Sequence, residues 1–221
     1  RPRAVMPELD PLYRSSKINE EVNRGLSREA AMAEASRCLD CPQPSCMEGC
    51  PVSINIPTFI KQIEVGDILA AASTLRETSS LPAVCGRVCP QEKQCESRCI
   101  YTKMNKPAVA IGFLERFAAD YEREQGALKV PEMAPRNGIK VAVIGSGPAG
   151  LSFSGDMAKL GYDVTVFEAL HEIGGVLKYG IPEFRLPNSI VDSEINLLEE
   201  MGVRFETNTI VGRTIAYDDL H

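Results

Sequence analysis

Eight cysteines fall between residues 38 and 99, in two blocks that each contain a Cys-Pro pair. The first block runs Cys38-x2-Cys41-x4-Cys46-x3-Cys50-Pro51, the second Cys85-x3-Cys89-Pro90-x5-Cys95-x3-Cys99. Thiolates at such spacings are ligands for soft metal, and a Cys-Pro in such a run is a mark of iron–sulfur ligation. Structural zinc prefers four ligands per site in paired C-x2-C knuckles, and Cys38 with Cys41 is the one pair here that has that spacing. Two 4Fe–4S clusters would use all eight thiols, or seven and one other ligand. In two-cluster folds the last Cys of a run can ligate the other cluster, and a similar exchange is expected here.

A second constellation lies downstream. Gly145-Ser146-Gly147-Pro148-Ala149-Gly150 joins a β-branched run, Ile139–Ile144, to a helical stretch, Pro148–Leu160. Gly145 permits a tight turn, Gly147 lets a pyrophosphate approach the backbone, and Gly150 allows close helix–strand packing. The phosphates would rest on the helix N-terminus, where free N–H groups and the dipole favour anions. Glu168 ends the next strand, Asp163–Phe167, where a carboxylate accepts hydrogen bonds from ribose hydroxyls. The plain alternative is a glycine-rich turn with an incidental acid, but the strand before and the helix after argue against it. Ser154 is a mild departure, standing where Gly or Ala is commonest. The pair Gly174-Gly175 just past Glu168 favours FAD over NAD(P).

The elements that must position these groups form two stretches of different character. Pro2, Pro7 and Pro11 make the start an extended arm. Helices are expected over 17–39 with Ser27 as an N-cap, over 58–65, over 68–77 with Asp67 as a cap, and over 107–125. Pro42, Pro44, Gly49 and Pro51 turn the first cysteine block so that several sulfurs can face one centre. Lys129–Gly138, with Pro131, Pro135 and Gly138, reads as a linker. Beyond it strand, helix and strand alternate, with a further helix over 188–201 and a strand over 203–206, the pattern of a parallel α/β unit.

The 221 residues are 44% hydrophobic and 24% charged with a formal net charge of −6, a globular balance that argues against nucleic-acid binding by bulk charge. No apolar run approaches the ~18 residues of a membrane span, and no secretory leader pattern opens the chain. The expected setting is cytoplasmic and reducing, where cysteines are metal ligands rather than disulfides. The chain begins with Arg1 and reads as trimmed. His171 and His221 stand in no triad or metal pattern and receive no role.

The two cysteine blocks, Ala110–Phe117, VAVIGSGPAGL, VTVFE and GGVLKYGIPEFRLP (Gly174–Pro187) resemble the glutamate synthase small (beta) subunit family. The N-terminal half of dihydropyrimidine dehydrogenase and the large subunit of NADH-dependent ferredoxin:NADP oxidoreductase are similar. The resemblance runs from about Lys17 onward. It implies a multidomain chain: an all-α iron–sulfur domain of α-helical ferredoxin type over 1–130, a linker over 131–138, and the N-terminal half of a Rossmann-like FAD-binding domain over 139–221. It implies one 4Fe–4S cluster on Cys38, Cys41, Cys46 and Cys99, and another on Cys50, Cys89, Cys95 and Glu115, with Cys85 not a ligand. For FAD it implies Gly145, Ser146, Gly147, Pro148, Ala149 and Gly150 at the pyrophosphate and Glu168 at the ribose. It adds Gly174, Gly175 and Val176 along the chain, Arg185 near the flavin and Val211 at the adenine. The plainer alternative for Arg185 is a surface salt bridge.

The function so implied is electron input to an NADPH-dependent glutamate synthase, from NADPH through FAD and two clusters to the large subunit or another acceptor protein. No catalytic acid or base is expected, because the chemistry belongs to the cofactors. The family's NADPH site and the later part of its FAD domain are not in this sequence, so the chain alone is expected not to oxidise NADPH. It is also expected to expose sheet edge and apolar surface. Two rivals remain: the same module serving pyrimidine reduction or ferredoxin:NADP oxidoreduction, and a non-enzymatic, zinc-stabilised interaction module.

Overall fold

The computed structural model describes residues 1–220. Two compact units emerge, Arg1–Leu128 and the residues from Lys129 on.

The first unit is helical: α1 (Pro11–Ser15), α2 (Arg28–Ala35), α3 (Ser45–Glu48), α4 (Ile56–Glu64), α5 (Ile68–Thr78), α6 (Pro82–Val88), α7 (Ile100–Lys103) and α8 (Ile111–Glu124), with 3-10 turns at Gln91–Lys93 and Glu96–Arg98. Ser27 and Asp67 cap α2 and α5 as the sequence predicts, their side chains accepting from the N–H groups of Ala30 and Ala70. α8 is central. It buries Leu114, Phe117 and Ala118 but also Glu115, Arg116 and Glu122, so it is covered on nearly every side. α6 runs against it at such close range that a Cβ on Gly86 would stand 2.5 Å from the Arg116 backbone nitrogen. Phe59, Ile60, Ile63 and Leu75 from α4 and α5 fill the rest of the core.

A helix over 17–39 does not form; the helix there is α2 alone. Residues 17–26 instead fold back on the arm. Leu9 N–H donates to Val22 O, Arg24 N–H donates to Pro7 O, and Gly25 takes φ +78°. Charge explains the choice. Glu21 meets Arg87 at 2.8 Å and Arg116 at 3.0 Å, and Asp120 meets the same two arginines at 2.8 and 3.2 Å. The side chains of Arg87 and Arg116 are only 2% and 5% exposed, and buried cations require such partners. This tertiary demand overrides a helical propensity worth tenths of a kcal/mol per residue. The arm is not wholly extended either: Asp10 accepts from Leu12 and Tyr13 N–H and starts α1. α8 begins at Ile111 rather than residue 107, because the carbonyls of Pro107 and Ala108 and the N–H of Ala110 are taken by the side chains of Arg37 and Glu34.

The anchor of that extended segment is Glu34, only 2% exposed. Its carboxylate accepts from Ala4 N–H at 2.6 Å and Ala110 N–H at 2.8 Å, and pairs with Arg37. Arg37 in turn donates to the carbonyls of Pro107 and Ala108.

The second unit is a three-stranded parallel sheet in the order β1 (Lys140–Ile144), β2 (Asp163–Phe167), β3 (Arg204–Glu206). Helices α9 (Pro148–Lys159), α10 (Val176–Tyr179) and α11 (Asn188–Glu200) connect them. Register sets Ile144 beside Phe167 and Phe167 beside Glu206, so all three strands end level. Val143, Val164 and Val166 are buried, while Ile144 is 60% exposed and β1 pairs on one side alone. Among the described residues no helix is long and apolar enough to cross a membrane; His221 lies outside them.

Glu34→Ala should leave Ala4, Ala110 and Arg37 without their shared acceptor. The expected cost is about 3–5 kcal/mol, the usual range for breaking a buried ion pair, read as a fall in the urea midpoint, with Glu34→Gln milder.

Candidate functional site

The turns of the first cysteine block, the end of α6 and the two ends of the 3-10 turn Glu96–Arg98 bring thiols together in two neighbourhoods. Cys38, Cys41, Cys46 and Cys99 line one cavity of about 100 Å³. Its wall is apolar, with Ile56, Pro57, Ile60 and Ile111. Cys46 is pushed up to about 11, by burial first and then by the neighbouring Cys38 and Cys99. Cys38 is also raised, by burial and, more weakly, by Cys41 and Asp40, against a backbone hydrogen bond and Lys61.

The second neighbourhood holds Cys50, Cys89, Cys95 and Glu115. Burial, then Glu115, Cys50 and Glu92 push Cys89 up to about 11. Cys95 is raised further still, by burial, Glu115, Glu96, Cys50 and Cys89. Cys89 donates its thiol to Gln94 Oε1 at 2.7 Å. Glu115 is 5% exposed, and its Oε1 is the buried side-chain oxygen without a hydrogen-bond partner among the described residues. Burial pushes its carboxyl up to about 8. A Cβ on Gly112, one turn before it, would stand 2.3 Å from the end of the Gln91 side chain and push it off Cys85 O. Cys85 lies on α6, where its carbonyl accepts from Gln91 Nε2 at 2.8 Å.

These groups fit a metal cluster on chemical grounds. Burial holds Cys38, Cys46, Cys89 and Cys95 above the ordinary thiol range, and a bound cationic metal is what would drive off their protons. The orphaned Glu115 oxygen is a further donor aimed among them. Among the described residues no group of three or more His, Cys, Asp or Glu side chains is placed to hold a metal ion.

In the second unit the level strand ends place Gly145 and Glu168 side by side, where Gly145 N–H donates to Phe167 O at 2.8 Å. Gly145 takes φ +95°, and a Cβ on Gly150 would stand 2.0 Å from Gly145 O. Gly147 is different: a Cβ there would meet nothing within 4 Å, so no contact within the protein demands glycine, and the open space suits a ligand at the N-terminus of α9. At Gly175, φ +53°, an added Cβ would stand 2.9 Å from the Gly147 Cα.

Ser146 organises this corner in a way the sequence does not announce. Fully buried, it donates through N–H and hydroxyl to Glu168 Oε2, and its oxygen accepts from Gly174 N–H at 3.0 Å. Glu168 Oε1 accepts from Leu170 N–H at 2.9 Å. Burial raises the Glu168 pKa, but the hydrogen bonds from Ser146 and from backbone N–H groups outweigh it and leave the carboxyl below its ordinary value. Glu168 therefore clamps the glycine loop to the end of β2. Ser154 closes on Gly150 O at 2.6 Å, which accommodates the hydroxyl without distortion. Val176 and Arg185 are exposed, and Arg185 makes no surface salt bridge among the described residues. Val211 sits in a tight turn, bridged to Ile215. His171 contacts Tyr179 at 3.3 Å on the surface.

The comparisons with known proteins follow this division. Residues 14–127 match the family model described as dihydropyrimidine dehydrogenase domain II, 4Fe-4S cluster, and residues 143–202 match an NAD(P)-binding Rossmann-like domain. The chain is 41% identical over 201 residues to the NAD-dependent dihydropyrimidine dehydrogenase subunit PreT of Escherichia coli K12, covering 91% of this chain and 48% of that protein. It is 38% identical over 219 residues to the glutamate synthase [NADPH] small chain of the same organism, covering 97% and 46%. The corresponding small chain of Azospirillum brasilense is 36% identical over 215 residues, covering 97% and 45%. The chain thus spans about half the length of the curated relatives it matches.

In metal-free chain, folded Glu115 keeps its proton to about pH 8, whereas an unfolded glutamate loses it near 4.5. The folded state then binds more protons, so stability should be full below about pH 4.5 and fall towards pH 8, by at most about 1.4 kcal/mol per unit. Urea melts at pH 5 and pH 8 check this, and Glu115→Gln should flatten the difference.

Proposed function

This chain belongs to the dihydropyrimidine dehydrogenase domain II, 4Fe-4S cluster family, and we propose that it works as the electron-transfer module of an oxidoreductase. Its similarity to glutamate synthase small chains, read from the motifs, is matched by the relatives at 36–38% identity. The finer reading is two 4Fe–4S clusters on an α-helical ferredoxin-type domain over 1–130, and FAD on the Rossmann-like residues over 139–221. Such clusters take up and release single electrons, and a flavin takes up hydride pairs.

Cys38, Cys41, Cys46 and Cys99 would hold one cluster, and Cys50, Cys89, Cys95 and Glu115 the other. The observation that carries this is Glu115: a buried carboxylate with an unpartnered oxygen beside Cys89 and Cys95. A carboxylate is a harder donor than a thiolate, so the two sites would differ in potential. The glycine loop 145–150 would seat the pyrophosphate, supported by the free space at Gly147. Glu168 would offer its remaining lone pair to the adenosine ribose. Gly174, Gly175 and Val176 would border the flavin chain, Arg185 the flavin, and Val211 the adenine. NADPH would bind elsewhere in a longer protein, and the acceptor would be a glutamate synthase large subunit. A second reading, pyrimidine reduction with an NAD-linked partner, is favoured by the 41% identity to PreT.

Spectroscopy of the reduced chain tests the ligand assignment. Dithionite-treated protein should give two sets of cluster EPR signals. Cys41→Ala should lose one set, Cys95→Ala the other, and Cys85→Ala neither. An EPR-silent, zinc-loaded chain would sink the electron-transfer reading in favour of a zinc-stabilised interaction module. For the dinucleotide, Gly147→Ala should weaken FAD binding in a flavin titration while leaving the melting curve nearly unchanged, since the added Cβ meets no protein atom within 4 Å.

A further inference from the structure

We propose that Arg98 is the cation that offsets the negative charge gathered by Cys38, Cys41, Cys46 and Cys99, and so raises the reduction potential of that site. The inference rests on the reading that these four thiols hold a cluster.

Arg98 lines the same cavity as the four thiols. It sits at the end of the 3-10 turn Glu96–Arg98, immediately before Cys99. Its side chain is exposed and has no ion-pair or hydrogen-bond partner among the described residues. Of the neighbouring cations, Arg37, which precedes Cys38, is bound to Glu34 and to the carbonyls of Pro107 and Ala108. Lys61 acts on Cys38 from beside its partner Glu64, and Arg98 is the cation among the residues that line the cavity itself. Room for the Arg98 stem is made by Gly49, where a Cβ would stand 2.9 Å from Arg98 Cγ. Gly49 lies between Cys46 and Cys50, so the first cysteine block itself shapes the slot for this arginine.

Four ionised thiolates give the complex a net negative charge, and one-electron reduction adds another without breaking a bond. A cation beside the site favours the more negative state. The apolar residues of the cavity make the interaction stronger than it would be in bulk water, while exposure of the guanidinium and salt reduce it. Lysine would keep the charge and lose the planar fork; glutamine would lose the charge and keep much of the length.

The test is an EPR-monitored redox titration with dithionite on the whole 221-residue chain, comparing wild type, Arg98→Gln and Arg98→Lys at matched iron content. In Arg98→Gln one of the two couples should move to lower potential while the other stays. In Arg98→Lys both should lie near wild type. If Arg98→Gln loses iron, retention of iron at wild-type potential in Arg98→Lys still supports the charge role. Unmoved couples in an iron-replete Arg98→Gln, or equal loss of iron from both variants, would overturn the proposal. A wild-type chain that binds no iron contradicts the cluster reading itself, a result separable from any effect of Arg98.

Discussion

A carboxylate buried without a partner, next to thiols that burial keeps protonated, is a costly arrangement for a folded chain. Desolvation raises Glu115 to about 8 and Cys89 to about 11, and neither finds a compensating cation in the protein. The same fold supplies partners freely elsewhere, since the buried Arg87 and Arg116 each meet two carboxylates. Where buried charge matters to the fold alone, it is paired. Where Glu115 faces the thiols, it is left for something the polypeptide does not itself provide, and a cationic metal cluster meets that need.

Much of the first unit serves this one constraint. Glu115 and Arg116 are consecutive on α8, so one helix turns a donor towards the thiols and a cation towards Glu21 and Asp120. Glycine at 86 and 112 lets α6 and Gln91 come up against that helix. Glu34 fixes the extended segment before α8, and with it the start of the helix that carries Glu115. In the second unit the corresponding hub is Ser146, whose hydroxyl joins the glycine loop, the end of β2 and the Gly174 turn. One buried hydroxyl there coordinates three segments that are distant in sequence.

The strands, α9 and the glycine loop were legible because their signals are local: β-branched runs, a Gly-rich turn, and an acid at the next strand end. α5 was legible through Asp67. Residues 17–26 were not, because their conformation is decided by Glu21 reaching Arg87 and Arg116, side chains more than sixty positions away. Cysteine spacing pointed to metal but could not divide the donors. That division depends on Cys99 of the second block meeting Cys38, Cys41 and Cys46, and on Cys50 of the first meeting Cys89 and Cys95. Glu115 was identified by resemblance, and the structure supplies the physical reason to take it seriously. Ser146 was legible as a member of the glycine loop but not as its hub, which its burial and hydrogen bonds reveal; Arg98 carries no local signal beyond its type, and its place in the thiol cavity distinguishes it.

The account stands most directly on what these thiols hold. The deciding measurement is the iron, zinc and acid-labile sulfide content of chain purified without oxygen. Two 4Fe–4S clusters predict about eight irons and about eight sulfides per chain. One or two zincs per chain without sulfide would contradict it and make the cysteines structural staples.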